Sequence, residues 1–160
     1  MQIITEFPFA VEEEVDLRIL LSDGITLSAR VWRPVGAGAV PVILEYLPYR
    51  KRDGTAARDA GTHPYLAGHG YVCVRVDMRG CGESEGLFED EYSEQELADG
   101  VEVVNWLSKQ SWCSGNVGMM GISWGGFNGL QIAALAPEPL KAVVSLCSTV
   151  DRFADDIHYK

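Results

Sequence analysis

An α/β fold, built on a parallel sheet with helices on both faces, is what three features of these 160 residues predict. Apolar runs of strand length alternate with amphipathic helical stretches. Such alternation favours right-handed crossovers, no internal repeat or low-complexity segment interrupts it, and an Asp-Gly turn near the start marks a preceding antiparallel hairpin. Hydrophobic residues make up 47% of the chain and charged residues 22%, the balance of one domain around one core.

The elements follow in order. Residues 15–33 (VDLRILLSDGITLSARVWR) hold two β-rich runs hinged on Ser22-Asp23-Gly24 and form the hairpin. After the Gly36-Ala37-Gly38 turn, residues 41–46 read as a buried strand. The polar stretch 47–62 reads as a long loop, of the kind that carries function or moves. Residues 71–77, entered through Gly68-His69-Gly70, form a strand placed centrally in the sheet. Ser93-Glu94-Gln95-Glu96 matches a capping box, with the serine accepting the N3 amide and Glu96 reaching back to the cap amide. Leu97, Val101, Val104 and Leu107 then give one buried stripe on a helix over about 94–110. A strand at 117–122, a helix at 124–136 ended by Pro137, and a strand at 140–147 complete the alternation.

Charge and composition exclude several classes of function. A net charge of −10 argues against a nucleic-acid partner, and the longest basic run, Arg50-Lys51-Arg52, reads as a solvated loop. No apolar run approaches the ~18 residues of a membrane span, and the acidic Glu12-Glu13-Glu14 is unlike a signal peptide, so no membrane partner and a cytoplasmic location are expected. Cys73, Cys81, Cys113 and Cys147 lack metal-ligand spacing, and Cys73 and Cys147 lie in apolar runs where thiols pack as small hydrophobes. His63, His69 and His158 are too scattered for a helical metal pair and read as structural. No cofactor is indicated.

Gly-x-Ser-x-Gly occurs twice, at 82–86 and at 121–125. A serine nucleophile of this type needs a strand, a sharp turn and a helix, which lift the hydroxyl off the sheet and aim helix amides at it. Ser123 has that context. Ser84 does not: Glu83 and Glu85 would repel a developing oxyanion, and it reads as a turn residue. A plain helix N-cap is the simpler reading of Ser123. Against it stand Gly125 and Gly126 in the first helical turn, at about 1 kcal/mol each relative to alanine.

Taken together, Asp23-Gly24, Pro48-Tyr49, the stretch from Asp77 to Gly86 and Gly121-Ile-Ser-Trp-Gly-Gly126 resemble the X-Pro dipeptidyl-peptidase/cocaine-esterase (CocE/NonD) family of α/β-hydrolases, which includes the α-amino-acid ester hydrolases. The resemblance covers nearly the whole chain. It implies acyl transfer from a small ester or peptide substrate, with Ser123 as nucleophile and the Trp124 backbone N–H and Tyr49 hydroxyl as oxyanion donors. It also implies that the stretch 77–86 is a structural loop, and that Tyr49 rather than Tyr46 is the family's phenolic donor. A tyrosine usually follows the serine in the family, so Trp124 departs from the pattern.

In α/β-hydrolases the triad runs serine, acid, histidine along the chain. After Ser123 come Asp151, Asp155, Asp156 and His158, but only one expected strand precedes that histidine, and the family pattern there leads into a helical cap. The acid and base are therefore expected beyond Lys160, with residues 1–160 the N-terminal part of a larger catalytic domain followed by cap and C-terminal β regions. Such a chain is expected to be nearly inert alone. It should also self-associate through an apolar sheet edge, or depend on a C-terminal segment. Two rivals remain: a dinucleotide-binding module on Gly80-Cys81-Gly82, which fails on spacing and on Glu83 and Glu85, and a non-catalytic scaffold that keeps the elbow.

Overall fold

The hairpin forms where the Asp-Gly turn puts it. Gly24 takes φ +91, the Asp23 carboxylate accepts the Ile25 N–H at 3.1 Å, and β1 (Val11–Leu20) pairs antiparallel with β2 (Thr26–Pro34). The computed structural model describes residues 6–155. Beyond the hairpin run β3 (Val40–Leu47), α1 (Ala56–Gly68), β4 (Val72–Asp77), α2 (Glu94–Ser108), β5 (Cys113–Ile122), α3 (Trp124–Ala134), β6 (Leu140–Leu146) and the short α4 (Arg152–Asp155). One six-stranded sheet has the order β1-β2-β4-β3-β5-β6, with β2 antiparallel to β4 and the β4-β3-β5-β6 pairs parallel.

Strand alternation sorts the core into two layers. Val42, Leu44 and Tyr46 of β3 and Val72, Val74 and Val76 of β4 face Val103, Val104 and Leu107 of α2 and Ile132 of α3. On the opposite face, Trp32, Cys73 and Ile43 meet Leu66 and Ala67 of α1. β4, buried at every position, is interior as expected. Cys113 is also buried and Cys81 is half-buried. Cys147, expected in an apolar packing role, is instead exposed just past β6, at φ +52.

Three expectations need correction. The stretch 47–62 is not all loop, because α1 starts at Ala56. Its buried face carries Asp59 and His63 rather than an apolar stripe, so hydrophobic periodicity could not reveal it. Arg58 binds Glu45 and Asp59 at 2.6 and 2.7 Å, Arg75 Nε lies 3.4 Å from Asp59, and His63 stacks on Trp32 at 4.6 Å. Polar atoms of Glu45, Asp59 and His63 gather closely enough to suggest a metal site, but the two guanidiniums already neutralise both carboxylates. Second, Lys51 is not solvated: its ammonium is fully buried and paired with Glu83. Third, β5 begins at Cys113, four residues early, through the polar Ser114-Gly115-Asn116.

β6 is an edge strand. On the α1 side of β5 and β6, an apolar hollow of about 660 Å³ is lined by Ile43, Leu66 of α1, Tyr71, Met120, Ala142 and Val144.

Candidate active site

The chain leaves β3 toward β4 on one side and returns to β5 on the other, so the carboxyl ends of β3 and β5 flank the point where strand order reverses. Open α/β sheets bind ligands at such a crevice. Ser123 follows β5 directly, and Tyr49 stands two residues beyond β3.

Ser123 has φ +54 and ψ −117, a left-handed conformation that costs a non-glycine residue about 1–3 kcal/mol. The neighbouring chain enforces it. A Cβ on Gly121 would collide with the backbone of Gly125. One on Gly125 would sit 2.8 Å from Leu47 Cδ2, and one on Gly126 would lie 2.9 Å from the Leu146 carbonyl. The glycines thus let the first turn of α3 close onto the ends of β3 and β6. Ser123 is exposed, and its hydroxyl makes no capping bond; instead its N–H donates to Leu146 O at 2.8 Å and its carbonyl accepts from Phe127 N at 3.0 Å. The simple N-cap reading therefore fails, because the side chain does not perform that task.

Trp124 opens α3, and its backbone N–H, as the first of the helix, has no intrahelical acceptor. Its indole N–H donates to Glu96 Oε1 at 2.7 Å, and its ring leans on Tyr92 and Phe88 at 4.9 and 5.8 Å. Glu96 is a residue that sequence reasoning assigned only to capping. Ser93 Oγ does accept the Glu96 N–H at 3.2 Å, but the Glu96 carboxylate takes the Tyr92 N–H at 2.8 Å rather than the cap amide. Its other oxygen is thereby left for the indole. Burial raises the Glu96 carboxyl above its ordinary range, against the bonds from Trp124, Asn128 and Tyr92.

Tyr49 is half-buried, and it lies near enough to Tyr92 to help raise that phenol, which burial chiefly pushes up to about 12. Tyr46, by contrast, is buried with its hydroxyl bonded to the Glu96 carbonyl at 3.1 Å. Ser84 lies away from any helix start; its hydroxyl donates to Asp77 O at 2.6 Å and accepts the Ser28 N–H at 2.9 Å. Of the described histidines, His63 of α1 bonds the Asp59 carbonyl and stacks on Trp32, and His69, just past that helix, bonds Tyr65 O. Asp155 accepts from Thr149, whereas Asp156 and His158 lie outside the described residues.

Sheet order, crossovers and a glycine-walled elbow define the class: this is an α/β-hydrolase fold. Comparison with known proteins agrees. The profile described as X-Pro dipeptidyl-peptidase (S15 family) matches residues 23–160, and the chain belongs to that family. It is 33% identical over 139 residues to the cocaine esterase of Rhodococcus sp., covering 86% of this chain and 24% of the esterase. Against the Xaa-Pro dipeptidyl-peptidase of Lactobacillus delbrueckii subsp. lactis it is 32% identical over 106 residues, covering 57% and 13% of the two chains. Among solved structures, a CocE/NonD family hydrolase from Staphylococcus aureus superposes with TM-score 0.71 at 30% identity, covering 82% of this chain and 26% of that one. An α-amino acid ester hydrolase gives 0.72 at 25% identity, covering 98% and 28%. The chain spans about a quarter of the length of the cocaine esterase and of these two structures. Its relatives are esterases and peptidases, which makes it a hydrolase-family chain. Among the described residues no helix is long and apolar enough to cross a membrane.

Proposed function

We propose that this chain carries the nucleophile and oxyanion hole of a serine hydrolase acting on acyl esters or on X-Pro and α-aminoacyl substrates. Ser123 Oγ attacks the carbonyl carbon while its proton passes to a base that the described residues do not supply. The tetrahedral oxyanion is held by the Trp124 N–H and the Tyr49 hydroxyl. The alcohol or amine departs with the proton, and water then releases the acid from the Ser123 ester. The observation that carries this reading is the conformation of Ser123: exposed, strained at φ +54, and free of any capping bond. A fluorophosphonate probe applied to the full-length protein tests it. Covalent labelling of Ser123, absent in Ser123→Ala, is the expected result. A folded protein that resists the probe at Ser123 supports a non-catalytic scaffold instead.

Val144 and Leu146 on β6, with Val150 and Phe153 beyond it, are all more than half exposed, and they favour self-association or cover by a further segment. The isolated 160-residue chain is expected to oligomerise, to bind a hydrophobic dye, and to turn over esters hardly at all. A monodisperse monomer without dye binding, seen by light scattering, would contradict this.

A further inference from the structure

The loop between β3 and α1, which carries Tyr49, is held far more firmly than a connection of its length requires. Arg50, directly after Tyr49, takes φ +56, a strained conformation that persists only where surrounding contacts impose it. Next to it, the Lys51 N–H donates to Asp77 Oδ1 at 2.6 Å, and the buried Lys51 ammonium pairs with Glu83. Asp77 ends β4, is almost fully buried, and takes the Glu83 N–H on its other oxygen at 3.1 Å. Both Asp77 oxygens are thus spent on backbone amides, one from the Tyr49 loop and one from the loop of the second Gly-x-Ser-x-Gly. That second loop is shaped around the carboxylate: Gly82 sits at φ +55, and a Cβ there would strike Asp77 Oδ2. Arg75 adds a second grip, donating to Leu47 O and to Thr55 Oγ1, each at 3.3 Å, on either side of Tyr49.

We propose that Asp77, assisted by the Lys51–Glu83 ion pair, is a positioning residue for catalysis, fixing the loop so that the Tyr49 hydroxyl is held where the oxyanion forms. This rests on Tyr49 being an oxyanion donor, and it assigns a task to the second serine motif, whose glycine and backbone wrap the carboxylate. Donors that stabilise a transition state must be placed in advance. A tyrosine on an untethered loop would spend part of its time elsewhere, which lowers kcat and leaves KM largely alone.

The test uses ester turnover by the full-length protein in Tyr49→Phe, Asp77→Asn, Glu83→Gln and the two double variants with Tyr49→Phe, each checked for an unchanged far-ultraviolet spectrum. Tyr49→Phe is expected to lower kcat ~10²–10³-fold with KM little changed. Asp77→Asn should lower kcat about tenfold or more, and Glu83→Gln, on a partly exposed side chain that endangers folding less, several-fold. Neither should lower it further once Tyr49 is already phenylalanine, because groups acting through one another are not additive. If Asp77→Asn does not fold, the Glu83→Gln pair alone decides. Full kcat in Glu83→Gln, or a further drop in its double variant, overturns the positioning role and leaves Tyr49 as a donor. If Tyr49→Phe itself keeps full kcat, the donor reading fails first and the positioning role goes with it.

Discussion

The same five-residue pattern, Gly-x-Ser-x-Gly, adopts two unlike structures in one molecule. At 82–86 it follows β4 and runs into a loop, and the Ser84 hydroxyl is consumed by bonds to Asp77 O and Ser28 N. At 121–125 it joins β5 to α3, and the Ser123 hydroxyl is exposed with no capping bond. Glycines are indispensable in both, for different reasons: Gly82 makes room for a carboxylate, Gly121 for the backbone of Gly125. What separates the exposed serine at the elbow from the bonded one is therefore the element that follows and the partners left over, not the pattern.

Substitutions can sharpen this contrast. The largest effect expected is on chemistry: Ser123→Ala should remove at least about 10³-fold of ester turnover and all probe labelling. Ser84→Ala should keep labelling at Ser123, and equal loss of labelling in both would erase the distinction. Next come the glycines. Gly121→Ala should destabilise by about 2–4 kcal/mol and Gly82→Ala comparably, because rigid atoms stand in the way of each new methyl. Gly115→Ala, at φ +86 with open space around it, should lose only about 1 kcal/mol in urea denaturation. Ser84→Ala itself should lose about 1–3 kcal/mol, since the buried Ser28 amide is left without its acceptor.

The smallest effect concerns pH. Burial raises the Glu96 carboxyl, so the folded state holds its proton at pH values where the unfolded chain has released it. The contribution of this group to stability is complete below the unfolded value near 4.3 and is lost as pH rises through the higher folded value. Relative to Glu96→Gln, the natural protein should therefore lose stability as pH rises from about 4 toward neutrality. Parallel stability–pH curves for the two would remove Glu96 from the account.

Much of the fold could be read from residues, because β3 to β6 and α2 announce themselves by apolar spacing and by the Ser93 cap. α1 could not be so read. Its inward face is Asp59 and His63, with Gly61 and Pro64 inside the helix, and only the guanidiniums of Arg58 and Arg75, the latter from a distant strand, make those carboxylates suitable for burial. Lys51 escaped for the same reason, its partner Glu83 lying 32 residues away. The elbow at Ser123 was legible because strand, glycines and helix are contiguous. Tyr49 as a proposed donor was not legible from its neighbours, since a tyrosine in a polar loop has no local signature, and only family resemblance singled it out. The double duty of Glu96 was hidden too, because its reach to the Trp124 indole depends on α2 and α3 lying side by side.

One backbone bond ties the outermost strand to the proposed nucleophile. The Ser123 amide ends on the carbonyl of Leu146, the last residue of β6, and the Ser145 hydroxyl reaches the carbonyl of Gly126. The bend that presents the serine is therefore moored to a border of the sheet that still has an open side. A neighbour pairing along that border, as proposed above, would also brace the bend at Ser123 and so couple assembly to the proposed acyl transfer.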